Sequence, residues 1–323
     1  MSGSSLRVNY YLRPSKCVER KMLREVISKM SGFEDIKKYR YIGFGAKYFT
    51  DFILFHKEFG ICKMISIECE ENKPESYEFN KPLRCIDIEF GQASAVLNRI
   101  FWQSIQKDII WLDYDNSITS QMLFDFKNAI IKASSGSLIV FSCNSSCRQD
   151  GIENKEQYLQ NYCKETLSFN IDKKDLSRNR IHRVIKQMYD NIVKEALYEK
   201  NALNSKYVFK QLIYFKYSDG APMITIGGIL IREEDEAVFD KCGFNQLNYI
   251  SQNDEPFEIE SPKLTYKEIQ EVNKYLPIDD ITTIDLPFLP KDKILIKKER
   301  ENINNYVKLY RYFPYYMEVQ SFN

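Results

Sequence analysis

Two glycines, Gly43 and Gly45 in the segment YRYIGFGAKYFTDF, stand where an apolar strand runs straight into a helix. Without a Cβ at those positions a ligand can approach the backbone closely, and the first amides of the following helix then face an anion. That is the architecture of a nucleotide-binding turn, although a short G-x-G also forms wherever a strand turns tightly into a helix. Carboxylates recur at the ends of the next apolar runs. MISIECEE offers Glu68 and Glu70, CIDIEFGQ offers Asp87 and Glu89, and WLDYDN offers Asp113 and Asp115. Acids so placed can orient a nucleophile, accept its proton or hold a metal. Each also has a plainer reading, as a tight turn, a solvated strand end or a helix N-cap.

The thiols point elsewhere. Eight cysteines could suggest a disulfide framework, but MSGSSLRVNYYLRPSK lacks the apolar core of a leader, and no window reaches the apolar length of a membrane span. Reduced thiols in the cytoplasm are expected. Cys143 and Cys147 form C-x₃-C, yet the other cysteines are scattered and the histidines number two, His56 and His182. Structural zinc draws ligand pairs at recognisable spacing, so no metal site is expected, and His56 reads as a helix-surface residue. Forty-six Lys and Arg balance forty-five Asp and Glu, giving +1. That balance excludes neither a local basic groove nor a nucleic-acid contact, but it does not indicate one. The abundance of Lys, Ile, Asn and Tyr fits a bacterial genome low in G+C.

The elements that must position these groups follow from periodicity. RPSKCVERKMLREVISKM carries Met22, Leu23, Val26, Ile27 and Met30 at helical spacing, with its charged residues read as the outer face. Arg13, Lys16 and Arg20 on that face have an alternative use against a phosphate-bearing substrate. Then come strand YRYIGF, helix YFTDFILFHKEF, strand ICKMISIE, a polar Pro-containing connection, strand LRCIDIEF, and a helix from about Ala93 to Gln106 that buries Phe101. Strand KDIIWLDYD, a helix from Gln121 to Ala133 and strand GSLIVFSCN complete five alternations, the pattern of a parallel doubly wound sheet. Residues 145–178 read as a lid insertion before a long helix, and KQLIYFKYSDGAPMITIGGILI reads as two strands about an Asp219-Gly220 hairpin turn. Residues 1–232 form one domain on this reading. Residues 233–323 form a C-terminal α/β extension, with a Thr265 to Glu268 capping box and an aromatic-rich end that docks on the core or on a partner.

Five βα units, a helix and an antiparallel hairpin, together with IGFGAKY, MISIECEE, CIDIEFGQ and WLDYDN, resemble the class I S-adenosylmethionine-dependent methyltransferases from about Arg20 to Ile231. The resemblance implies a mostly parallel seven-stranded sheet with a terminal antiparallel hairpin. It implies that the cofactor S-adenosylmethionine lies against Gly43 and Gly45, that Glu68 binds the ribose hydroxyls, that Asp87 or Glu89 meets the adenine edge, and that Asp113 and Asp115 stand at the reaction centre. The chain departs from the family at Tyr41, where an acid is usual, and at Lys47, where a third glycine is usual; Lys47 would instead meet a carboxylate or a phosphate.

The resulting expectation is methyl transfer to an unidentified acceptor, a small molecule, a protein or a nucleic acid. The alternative is a catalytically altered module of the same fold that senses a nucleotide or scaffolds a bacterial multi-component complex. Metal-assisted phosphoryl chemistry at Asp87, Asp113 and Asp115 ranks last. A homo-oligomer or protein contact through the C-terminal region, and no membrane, complete the expectations.

Overall fold

The computed structural model describes residues 13–313, apart from 71–72, 150, 153, 168–169, 203–205, 251–254, 279–280 and 282–283. The first twelve residues, and the final aromatic stretch from residue 314, lie outside the described residues. The elements run α1 (Pro14–Lys29), β1 (Arg40–Gly43), α2 (Thr50–Phe59), β2 (Lys63–Glu68), α3 (Pro74–Asn80), β3 (Ile86–Phe90), α4 (Ala93–Arg99) and β4 (Asp108–Ser117). They continue with α5 (Ser120–Lys132), β5 (Ser137–Asn144), α6 (Lys155–Tyr162), α7 (Ile181–Lys200), β6 (Tyr207–Asp219) and β7 (Ala221–Arg232). After these come α8 (Glu236–Lys241), β8 (Phe257–Ile259), α9 (Tyr266–Asn273) and α10 (Lys293–Leu309).

The strands form one sheet in the order β3-β2-β1-β4-β5-β7-β6-β8, with β7 antiparallel to both of its neighbours and every other pairing parallel. The expected seven-stranded sheet with its hairpin is present. An eighth strand, β8, comes from the C-terminal extension and pairs with β6.

Strand alternation sorts the core into two layers. Ile109 and Trp111 of β4 pack toward α1 and α2, while Ile110 and Leu112 pack toward α4, α5 and α7. Continuing that period of two past the apolar run puts Asp113 and Asp115 on the α1 side and Tyr114 on the α5 side. The Tyr114 hydroxyl accordingly donates to Asp125 Oδ2 of α5 at 2.7 Å.

Three segments differ from their sequence reading. The Pro-containing connection holds a short helix, α3, because Pro74 sits in its first turn, where no amide is needed. Helix α4 ends at Arg99, and Phe101 is 74% exposed, not part of the buried stripe. Most important, Lys16, Glu19 and Arg20 of α1 are buried with Val18, Met22, Leu23, Val26 and Ile27. Stepping back by three and four residues from the apolar stripe lands on those charges, so they extend the inward face.

Helix α1 has no side-chain cap from its own first residues. The carboxylate of Asp219, at the tip of the β6–β7 hairpin, accepts the Ser15 amide at 3.2 Å and the Lys16 amide at 2.9 Å. A residue some two hundred positions away thus supplies the acceptor that the helix start requires, and its charge also favours the helix N-terminus. Asp219→Ala is expected to lower stability by about 1–2 kcal/mol, read as a fall in denaturation midpoint without change in far-ultraviolet dichroism of the sheet; an unchanged midpoint would contradict the capping role.

Candidate functional site

The carboxyl ends of β1, β2 and β4 meet where the sheet order reverses direction, between β1 and β4. Crevices at such points are where open α/β sheets take ligands. Here α1 closes one side of that region. The Lys16 ammonium lies 2.6 Å from Asp113 Oδ1, 2.7 Å from Glu19 Oε2 and 3.2 Å from the Tyr217 hydroxyl, and its charge stands 4.4 Å from the centroid of Trp111. Glu19 accepts in turn from Tyr217 and Thr225; Ser142 and Thr225 share a 2.7 Å hydroxyl contact, and the Trp111 indole N–H donates to Ser142. Arg13 pairs with Asp115 at 3.5 Å, and Arg20 pairs with Asp51 in the first turn of α2.

Within this set three cations face four carboxylates, so one negative charge is in excess when all are ionised. Burial pushes Asp113 up to about 6, with Lys16 opposing and Glu19 adding to the shift. Burial would lower the Lys16 ammonium, but Asp113 and then Glu19 outweigh it and hold Lys16 above its ordinary range. Near neutral pH the pair is therefore an ionised carboxylate held by an ionised amine. The side chain of Asp115, at 26% relative exposure, is the more open of the two β4 acids.

The glycine turn is built differently from its sequence reading. A Cβ on Gly43 would stand 2.6 Å from the Tyr41 hydroxyl, and one on Gly45 would stand 2.5 Å from the Phe49 ring and 2.6 Å from Ser66 Oγ. The protein's own side chains thus demand both glycines, whether or not a ligand does. Tyr41 fills the place of the usual acid as a buried ring edge-on to Phe52 and Phe55. Ala46 and Phe49 take left-handed backbone conformations within the same turn.

Glu68 closes that turn from β2. Its Oε1 accepts the Gly45 amide at 3.0 Å and the Ser66 hydroxyl at 2.7 Å, and the Ala46 amide also bonds the carboxylate. Burial raises it to about 7, against the lowering by Ser66 and the two amides. A carboxylate has roughly four acceptor sites, so three protein donors leave capacity for one ligand hydroxyl, and the residues fit one hydroxyl of a ribose there. Lys47 is half-buried within the turn.

Asp87 does not join this group. It is the second residue of β3 and registers with Ile65, whereas Glu68 registers with Phe90. At about 3.3 Å per residue, Asp87 sits roughly 10 Å back from the carboxyl edge. Glu89 is nearer but is taken by Arg99 at 2.7 Å. Sequence reading missed Glu19, Tyr217 and Thr225 as members of the network; the stripe position of Glu19 was the available signal.

A family model described as "Putative O-methyltransferase" matches residues 8–321. No curated protein matches the chain by sequence. Among solved structures, an O-methyltransferase from Bacillus cereus in complex with SAH is similar at 12% identity and TM-score 0.37, over 67% of this chain and 81% of that one. The O-methyltransferase TomG from Streptomyces achromogenes, in complex with SAM, is similar at 12% identity and TM-score 0.38, over 70% of this chain and 93% of that one.

Two outcomes test the site's electrostatics. Lys16→Met leaves Asp113 and Glu19 buried without their cation, and is expected to cost about 3–5 kcal/mol; adding Asp113→Asn should restore part of it, and strictly additive losses in the double variant would disprove the coupling. Between pH 4.5 and about 7 the folded protein retains a proton on Glu68 that the unfolded chain releases, so stability falls as pH rises through that window. Glu68→Gln is expected to make the fall in midpoint with pH shallower, by at most about 3 kcal/mol across the window. An identical slope in the two proteins would refute the shifted carboxyl.

Proposed function

The chain belongs to the family described as "Putative O-methyltransferase", and from that premise we propose that it transfers a methyl group from S-adenosylmethionine to an acceptor oxygen at the carboxyl end of β4. The observation that carries this reading is the buried Lys16–Asp113 pair beside the glycine turn that Glu68 braces. When bound, S-adenosylmethionine supplies a methyl group activated on a positively charged sulfur. A cation suits a set of side chains with one negative charge in excess.

The residues divide the work as follows. The turn at Gly43, Gly45 and Lys47 would take the amino-acid end of the donor, and Glu68 would accept from one ribose hydroxyl. Asp113, fixed in direction by Lys16, or the more open Asp115 takes the proton of the acceptor hydroxyl. The oxygen so freed would accept the methyl group from bound S-adenosylmethionine, whose sulfur would keep the bonding pair as a thioether. Holding donor and acceptor aligned supplies most of the acceleration, and the acid contributes by removing one proton. Eight free thiols suit a reducing, cytoplasmic setting.

Calorimetric titration with S-adenosylmethionine, S-adenosylhomocysteine, NAD and ATP tests the reading. Saturable heat with the two methionine compounds is expected, and Glu68→Ala should weaken both about 10- to 100-fold, the worth of a hydrogen bond to a charged group. Heat with NAD or ATP alone would instead favour a nucleotide-sensing module of this fold.

A further inference from the structure

At the opposite edge of the sheet a second cluster forms from residues far apart in sequence. Helix α2 ends at Gly60, whose left-handed backbone (φ 69°) turns the chain back, with its amide bonded to the His56 carbonyl at 2.8 Å. Ile61 then anchors in the core, and Cys62 lands beside His56 just before β2. The parallel pairing of Met64 with Ile86 sets the diagonal neighbour of Cys62 as Cys85, just before β3. As a result the two Sγ atoms each lie 3.8 Å from His56 Nδ1, and all three donor atoms fall within 4.8 Å of one another.

Those distances are the edges of a coordination tetrahedron. With metal–sulfur bonds of about 2.3 Å and metal–nitrogen bonds of about 2.0–2.1 Å, tetrahedral angles give sulfur–nitrogen edges of about 3.6 Å and sulfur–sulfur edges of about 3.8 Å. The two sulfur–nitrogen separations lie within a few tenths of an ångström of those edges, and the sulfur–sulfur separation, at most 4.8 Å, closes on such an ion by no more than about 1 Å. We propose that His56, Cys62 and Cys85 bind a thiophilic divalent cation of the zinc kind, with the fourth position open to water. This site is independent of the methyl-transfer reading, since Cys62 and Glu68 stand at opposite ends of β2, on the order of 20 Å apart.

The surroundings favour a cation. The cluster sits at the carboxyl end of α2, where the helix dipole is negative and the carbonyls of Gly60 and Ile61 turn toward it, at 3.4 Å from Cys62 Sγ and 2.9 Å from His56 Nδ1. Asp87, two residues beyond Cys85 on the same side of β3, adds negative charge. Binding releases the two thiol protons and requires the imidazole proton on Nε2, so the contact from Nδ1 to the Ile61 carbonyl gives way to the metal bond. The ion would tie α2 to the first residues of β2 and β3.

The test uses the full chain, stripped with chelator and kept reduced under argon, titrated with Co²⁺. Expected are the intense visible bands of tetrahedral cobalt and near-ultraviolet thiolate charge transfer, saturating at about one equivalent and bleached by Zn²⁺. Cys62→Ser, whose parent side chain is exposed, and Cys85→Ser should each weaken cobalt binding at least about tenfold, by analogy with outer-sphere losses of that size; Cys69→Ser, an exposed thiol outside the cluster, should leave it unchanged. Absence of the charge-transfer band in the parent protein, or its survival in the Cys62→Ser Cys85→Ser double variant, would overturn the assignment.

Discussion

The contact on which this structure turns is the ammonium of Lys16 lodged between Asp113 and Glu19. Desolvating such groups costs several kcal/mol per ion, so the arrangement persists only because its charges and hydrogen-bonding capacity are met together. Asp113 and Glu19 supply the opposing charge, Tyr217 an acceptor and donor, and Trp111 the face of its ring. The same contact fixes the register of α1. Sliding the helix by one turn would keep an apolar stripe against the sheet but strand every charge, so hydrophobic burial gives α1 its affinity for the sheet and the ion pairs give it one position. Because the regular pairing of β4 with β5 breaks at Asp113, toward the carboxyl end of the strand, the helix that covers the core is also a wall of the candidate site.

The turn after β1 shows the same economy of fixed geometry. Ala46 and Phe49 hold left-handed conformations, each of which disfavours a residue with a side chain by about 1–2 kcal/mol. The turn is held there by Phe49 N–H bonding the Gly45 carbonyl at 2.8 Å, by burial of the Phe49 ring and by Glu68 gathering the amides of Gly45 and Ala46. Glu68 thus has two tasks, one toward its own backbone and one toward a ligand. The first accounts for its burial, and that burial outweighs the lowering by Ser66 and the two amides, so its proton is retained to near neutrality.

How much of this was legible in the sequence depended on whether the signal was local. The five alternations, the Asp219-Gly220 hairpin and the Thr265–Glu268 capping box are set by period and by short-range hydrogen bonds, and they stand in the structure at the expected positions. Glu68 ends β2, and Asp113 and Asp115 follow the apolar run in the carboxyl-terminal half of β4, because an apolar run gives way to acids at both places. Asp87 misled because an acid early in a strand and one at its end look alike until the register is known. Lys16 and Arg20 misled for a different reason: charge was given more weight than helical phase. Their burial needs Asp113 and Asp51, on other elements, and no local pattern announces a partner that far away.

The thiols carry that lesson to the other edge of the sheet. Cys62 and Cys85 share no ligand-pair spacing; the turn at Gly60 sets Cys62 beside His56, and the parallel pairing of β2 with β3 brings Cys85 to them. Helix α2 joins the two regions, its first turn holding Asp51 against Arg20 and its last turn holding His56. A shared helix does not make the regions communicate. Coupling requires an element with two discrete arrangements that both sites bias, and α2 is packed along Phe52 and Phe55 into the core, its start fixed by an ion pair and its end by Gly60. An ion at His56 would therefore add to the stability of one arrangement by mass action, as a staple on the strands that carry Glu68, and would leave affinity at the glycine turn nearly unchanged.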